Sequence, residues 1–144
     1  MVIPVYRPDE KFLGLMEMLH QQSVTINRFI LMHTVEDGEE NVVGVDEDRV
    51  KAKNTVDLQG IAEDRSSDFS LKITNQYPTV EIYPVSKKEF DHGHTRNLGI
   101  EKSDADVFIC MTQDAMPADG YMVENLLKVL ESEEVAVAYG MQLP

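Results

Sequence analysis

The chain has 144 residues, 42% of them hydrophobic, which suits one domain with a sizeable core and leaves no room for a second. Its net charge of −13 excludes nonspecific nucleic-acid binding, which needs lysine and arginine to displace counterions from phosphates. No stretch reaches the roughly 18 apolar residues of a bilayer span. The opening Val2-Ile3-Pro4-Val5-Tyr6 lacks the charged start and cleavage site of a secretory signal, so residence in the cytosol is expected. Cys110 is the one cysteine, which excludes an internal disulfide, and its apolar surroundings in sequence predict a buried thiol.

Val2 to Tyr6 reads as a short apolar strand, ended by Pro8, whose fixed φ suits a helix start. From Asp9 to about Gln22, Phe12, Leu15, Met16 and Leu19 recur at i, i+3, i+4 and i+7, one face of a helix, and its methionines read as core filler. Phe29 to Met32 predicts a second buried strand. Seven acidic residues and no basic one then lie between Glu36 and Asp48, the composition of a solvated loop. Asp46-Glu47-Asp48 lacks the ligand spacing and central glycine of a calcium loop. Residues 36–75 form an acidic, partly irregular insertion, with weak helical patterns near Val56 to Ile61 and Phe69 to Ile73. A structureless loop of that length is unusual in a compact domain, so part of it is expected to be ordered.

Thr79 to Tyr83 predicts a third strand, Asp91-His92-Gly93 leads into a short helix ending near Ser103, and Val107 to Met111 predicts a fourth strand. After Pro117 and Asp119, Met122, Leu126, Leu127 and Leu130 mark a last helix, and Val135 to Tyr139 a closing strand. Short apolar strands alternating with amphipathic helices imply an α/β domain, a mostly parallel sheet covered on both faces.

In such a sheet ligands collect beyond the carboxyl ends of the strands. The residues there are Tyr6 and Arg7; His33, Thr34, Glu36 and Asp37; Ser86 to His94; and Thr112 to Asp114. They combine an aromatic ring, basic groups and an acidic group, which suits an anionic, base-containing ligand with a divalent cation. The pair His92 and His94 lacks the third ligand that zinc normally requires. A phosphoacceptor receiver would need an acidic pair after the first strand, and a flavodoxin a hydroxyl-rich loop; Tyr6 and Arg7 supply neither.

Four segments carry a resemblance to glycosyltransferase family 2. Val2-Ile3-Pro4-Val5-Tyr6-Arg7 resembles its opening strand, usually V-I-P-x-Y-N. Glu89 to Gly99 resembles the D-H-G-x-T-R-N-x-G element of its rhamnosyltransferase-like branch. Thr112-Gln113-Asp114-Ala115-Met116-Pro117 is similar to T-Q-D-A-x-P, and Tyr139 to Pro144 to Y-G-R-Q-x-P. The resemblance implies the nucleotide-binding portion of a Rossmann-like GT-A fold, a three-layer α/β/α domain with a mostly parallel sheet, and inverting transfer of a sugar such as rhamnose to a polysaccharide or glycan.

It also implies roles. Pro4 and Tyr6 would frame the nucleotide base, with Tyr6 equally readable as a strand-end packing residue. Arg96 and Asn97, on the first turn of a helix, would face the nucleotide or its phosphates, unless Arg96 pairs with a carboxylate. His92, Arg7 and Gln113 would line the donor pocket. Asp114 matches the last aspartate of the D-x-D motif that holds Mg²⁺ or Mn²⁺ against the diphosphate, its alternative being a turn-forming aspartate before Pro117.

Two departures stand out. Where the family carries an aspartate after strand two, this chain has His33-Thr34-Val35-Glu36-Asp37, so Glu36 or Asp37 is the candidate replacement. Met141 replaces the usual arginine. The acceptor half, with the general base, is expected beyond Pro144, so this chain alone is expected to bind a donor rather than complete a transfer. The implied partners are dTDP-rhamnose or a UDP-sugar and a glycan or lipid-linked acceptor, with the longer enzyme peripheral at the inner face of the membrane. A surface exposed by truncation would drive self-association. The competing reading is a noncatalytic nucleotide-binding or interaction module on the same fold.

Overall fold

The structure, a computed structural model, describes residues 1–36 and 65–141. The weak helical pattern near Val56 to Ile61, Asp37 with most of the acidic stretch, and Gln142 to Pro144 lie outside the described residues. The elements run β1 (Val2–Tyr6), α1 (Glu10–His20), β2 (Phe29–Val35), α2 (Arg65–Gln76), β3 (Val80–Ser86), α3 (His92–Glu101) and α4 (Met122–Leu130). The three strands are parallel in the order β1-β2-β3.

Alternation along the strands sorts side chains onto two faces. Ile3 and Val5 of β1, Phe29 and Leu31 of β2, and Val80 and Ile82 of β3 join Phe12, Leu15, Met16 and Leu19 of α1 and Ile73 of α2 in one core. Val2, Ile30, Met32 and Val85 face the other way and meet Leu98 and Ile100 of α3. Helices on both faces of a parallel sheet make three α/β/α layers. Each fully buried aliphatic or aromatic side chain contributes about 1.5–3 kcal/mol relative to exposure, so the larger core with α1 dominates stability.

Capping follows the sequence. Asp9 is the N-cap of α1 and accepts from the backbone N–H groups of Lys11 and Phe12 at 3.1 and 3.2 Å. Asp91 caps α3 by accepting from His94 N at 2.8 Å. At α4 the buried Gln22, just past the end of α1, accepts from Val123 N at 3.2 Å and donates to Asp119 O at 2.9 Å. A side chain just beyond one helix thereby satisfies an orphan amide at the start of another and ties the two together.

Several expectations are corrected. β2 runs on to Val35, so His33 and Thr34 are buried strand residues rather than loop residues after the strand. β3 is shifted to Val80–Ser86 and includes Pro84, which a sheet tolerates because β3 is an edge strand among the described residues. Val107 to Met111 forms no full strand. One parallel bridge joins Val2 to Cys110, with Val2 N donating to Ile109 O at 2.8 Å and Met111 N to Val2 O at 3.0 Å. The next donor due on that edge of β1 is Pro4, which has no N–H, so the ladder stops. Val135 to Tyr139 is likewise not a strand; with no ladder beside it to extend, Val137 and Tyr139 are exposed. Cys110 is exposed rather than core, because it lies on this open flank of the sheet.

Candidate functional site

The carboxyl ends of all three strands, and the loop after the Cys110 bridge, converge on Tyr6. Its hydroxyl donates to Glu36 Oε1 at 2.6 Å. Lys87 Nζ, one residue beyond β3, donates to both oxygens of Glu36 at 3.0 Å and to Tyr6 Oη at 3.2 Å. Arg7 NH2 donates to Glu36 Oε1 at 2.9 Å. The two cations also lie against the Tyr6 ring, the Arg7 guanidinium carbon 5.1 Å and the Lys87 Nζ 5.4 Å from its centroid, within cation–π range. The hydrogen bond from Tyr6, followed by that from Lys87, holds the Glu36 carboxyl below the ordinary carboxylate value, and Glu36 in turn raises the Lys87 ammonium.

On the other flank, Gln113 closes on the backbone of Tyr6. Its Oε1 accepts from Tyr6 N at 2.6 Å and its Nε2 donates to Tyr6 O at 3.0 Å. The amide side chain supplies the pairing that a continued strand would have given. Both its polar ends are engaged with backbone, so Gln113 acts as a clamp that places the next residue, the exposed Asp114.

The remaining sequence candidates separate. Pro4 is buried in mid-strand, opposite Met32. His92 is exposed at the start of α3 and meets Phe90 edge-on, ring centroids 5.0 Å apart. Arg96 and Asn97 are the fifth and sixth residues of α3, in its second turn rather than its first; Arg96 NH1 donates to His92 O at 3.1 Å and has no carboxylate partner among the described residues, and Asn97 is exposed beside it. The structure thus gathers Tyr6, Arg7, Glu36 and Gln113 into one cluster, with Asp114 at its edge. It links neither Pro4 nor His92, Arg96 and Asn97 to that cluster by a hydrogen bond among the described residues. Lys87, which sequence reasoning did not single out, is central; its signal was its place within Ser86 to His94, on the ligand side of a parallel sheet.

Buried Thr34 at the end of β2 and Thr95 in the first turn of α3 have hydroxyls without a hydrogen-bond partner among the described residues. α3 itself lies close on the sheet. A Cβ at Gly99 would clash with Val2 Cγ1 and stand 3.2 Å from Met32 Cγ, so glycine is required for this approach.

No group of three or more histidine, cysteine, aspartate or glutamate side chains could hold a metal among the described residues. Asp114 belongs to no such group among the described residues. Its carboxylate fits a hard cation that takes most of its oxygen ligands from water and a bound diphosphate, as Mg²⁺ commonly does, and does not fit a cation caged by protein alone.

In a three-layer α/β/α domain, ligands collect beyond the carboxyl ends of the parallel strands, and the polar cluster lies there. Residues 60–143 match the family described as glycosyl transferase family 2, and the chain belongs to that family. The match contains the second and third of the resembling segments and nearly all of the fourth; Val2 to Arg7 lies outside it. The chain is similar to the O-antigen chain rhamnosyltransferase RfbN of Salmonella typhimurium, 35% identical over 85 residues, 58% of this chain and 27% of that protein. It is similar also to the O-antigen chain rhamnosyltransferase WbaN of Salmonella anatum, 33% identical over 85 residues with the same coverage. The matched region therefore spans about a quarter of the length of these relatives. No solved structure matches the chain. No helix among the described residues is long and apolar enough to cross a membrane.

Proposed function

We propose that this chain binds the nucleoside-diphosphate sugar donor of a glycosyltransferase that transfers sugar, with inversion, to a polysaccharide or glycan acceptor. The observation that carries the reading is the convergence of Tyr6, Arg7, Glu36, Lys87 and Gln113 at the carboxyl ends of the strands, with Asp114 placed next to the clamp. Tyr6 offers a ring for the base. Glu36 Oε2, engaged only by Lys87 among the described residues, offers an acceptor for a ribose hydroxyl. Arg96 and Asn97, in the second turn of α3, offer a cation and an amide to phosphate beside an amino end that Asp91 caps.

Asp114 is the residue that would hold Mg²⁺ or Mn²⁺, and the cation's contribution is to neutralise charge on the departing diphosphate. The similarity to two rhamnosyltransferases supports a deoxyhexose donor such as dTDP-rhamnose. The insertion that begins at Glu36 is read as part of this one nucleotide-sugar-binding domain, and a cytoplasmic or inner-face location follows from the donor.

Calorimetric titration with UDP and dTDP, with and without Mn²⁺, tests the reading. Metal-dependent binding that disappears in Asp114→Ala supports it; binding that ignores both metal and Asp114 counts against it. One observation favours a second reading, a nucleotide-binding module without transfer activity. His33 and Thr34, where the resembling pattern has its aspartate, are buried in β2. Nucleoside diphosphate released from a donor sugar in the presence of glycan acceptor separates the two.

A further inference from the structure

The cations at the carboxyl ends of the strands are already occupied by an anion of the protein itself. Arg7 and Lys87 both pair with Glu36, at 2.9 and 3.0 Å, which leaves one positive charge in excess at this spot in a chain of net charge −13. The two cations are held unequally. Lys87 reaches both carboxylate oxygens and the Tyr6 hydroxyl. Arg7 has Glu36 Oε1 as its one hydrogen-bond partner among the described residues, and its side chain is 73% exposed.

Arg7 is also the one non-glycine residue with positive φ among the described residues, at 46°. The left-handed region crowds Cβ against the backbone, so a residue other than glycine stays there only when its surroundings hold it. Gln113 holds the backbone N–H and C=O of Tyr6, directly before Arg7, as Asp114 directly follows Gln113.

We propose that Glu36 is an internal stand-in for the donor's diphosphate: it holds Arg7 at the site while no donor is bound, and the incoming diphosphate takes the guanidinium from it. This deepens the donor-binding reading above and rests on it for the nature of the ligand. A diphosphate offers paired oxygens that match the guanidinium fork, whereas Glu36 gives it a single exposed contact, so exchange favours the phosphate. Lys87 stays with Glu36 and keeps its carboxylate neutralised. Departure of Arg7 also takes its guanidinium, now 5.1 Å from the ring centroid, away from Tyr6 and opens that ring to a base. Arg7 therefore promotes binding and Glu36 opposes it for the phosphate part of the ligand.

The test is calorimetric titration of inorganic pyrophosphate and of UDP, at low salt without metal, into the wild-type chain, Arg7→Gln and Glu36→Gln. Arg7→Gln is expected to weaken pyrophosphate binding about tenfold, as loss of a charge-assisted phosphate contact does, and Glu36→Gln to tighten it by roughly threefold or more. Arg7→Gly should raise the melting temperature by relieving the backbone while still weakening pyrophosphate, a combination that a purely structural arginine would not give. Undetectable pyrophosphate binding, an Arg7→Gln variant with wild-type affinity, or weaker binding in Glu36→Gln would overturn the inference. UDP binding that ignores Arg7 would sink the exchange and leave the donor reading standing. Arg7-dependent pyrophosphate binding with nothing added by uridine would sink the donor reading and leave the exchange.

Discussion

Gln113 and Tyr6 are joined by two reciprocal hydrogen bonds, side-chain amide to main chain, at 2.6 and 3.0 Å. The pair replaces backbone pairing on the edge of β1 where Pro4 has interrupted it, and so ties the Asp114 loop to the strand that carries Tyr6. Gln113→Ala removes both partly buried bonds. It is expected to destabilise the chain by about 2 kcal/mol in urea denaturation and to weaken metal-dependent nucleotide binding as Asp114 loses its support. An unchanged urea midpoint would show that the clamp contributes nothing.

Gly99→Ala places a methyl group against Val2 Cγ1 and Met32 Cγ. Both neighbours are buried and Val2 is β-branched, so neither yields cheaply. Alanine's better helix propensity offsets part of the overpacking, and a net loss of about 1–2 kcal/mol is expected from thermal melts. A more stable variant would mean that α3 can lift off the sheet without loss.

Thr95→Val replaces a fully buried hydroxyl that has no hydrogen-bond partner among the described residues by a methyl of similar volume. Removing an unsatisfied polar atom should stabilise the chain by about 1 kcal/mol, read as a higher melting temperature. Destabilisation would identify a partner for the hydroxyl.

At the opposite end of the sheet, Arg28 holds Glu81 with two hydrogen bonds, at 2.6 and 2.9 Å, and reaches Asp104 at 2.9 Å. The bond from Arg28 holds the Glu81 carboxyl below its ordinary value of 4.5. A lowered carboxylate contributes stability that is present above 4.5 and lost as pH falls through the folded-state value. Stability measured by urea between pH 6 and pH 3 should therefore decline below about 4.5. Glu81→Gln should lower it by about 1 kcal/mol at pH 7, since both side chains are about a third exposed and screened, and flatten the acid limb. An acid limb of undiminished slope in Glu81→Gln would assign the pH dependence to other carboxylates, of which Glu36, Asp91 and Glu124 are also lowered.

Where apolar periodicity was uninterrupted, the sequence could be read closely. β1 has the expected bounds, and Phe12, Leu15, Met16 and Leu19, chosen from spacing alone, are the buried face of α1. The errors lie where polar or cyclic residues sit inside strands. His33 and Thr34 hide the end of β2, Pro84 hides that of β3, and Pro4 determines, from across the sheet, that Val107 to Met111 makes one bridge only. Such effects depend on which strand is a neighbour, which local pattern does not record. The cluster was legible as a set of strand ends, and Tyr6, Arg7, Glu36 and Gln113 were chosen that way. Lys87 and the conversion of Gln113 from ligand contact to clamp needed coordinates, because both depend on which atoms are already paired.

The clamp joins residues separated by 107 positions. The side chain that completes the edge of β1 is therefore made long after β1 itself. At ~5–20 residues per second, roughly 5–20 s pass between synthesis of Tyr6 and of Gln113. Contacts of such separation also form late in folding, after local ones. During that interval β1 exposes an unpaired edge on the nascent chain, and Pro4, set at its middle, removes one of the amides to which a stray strand would attach.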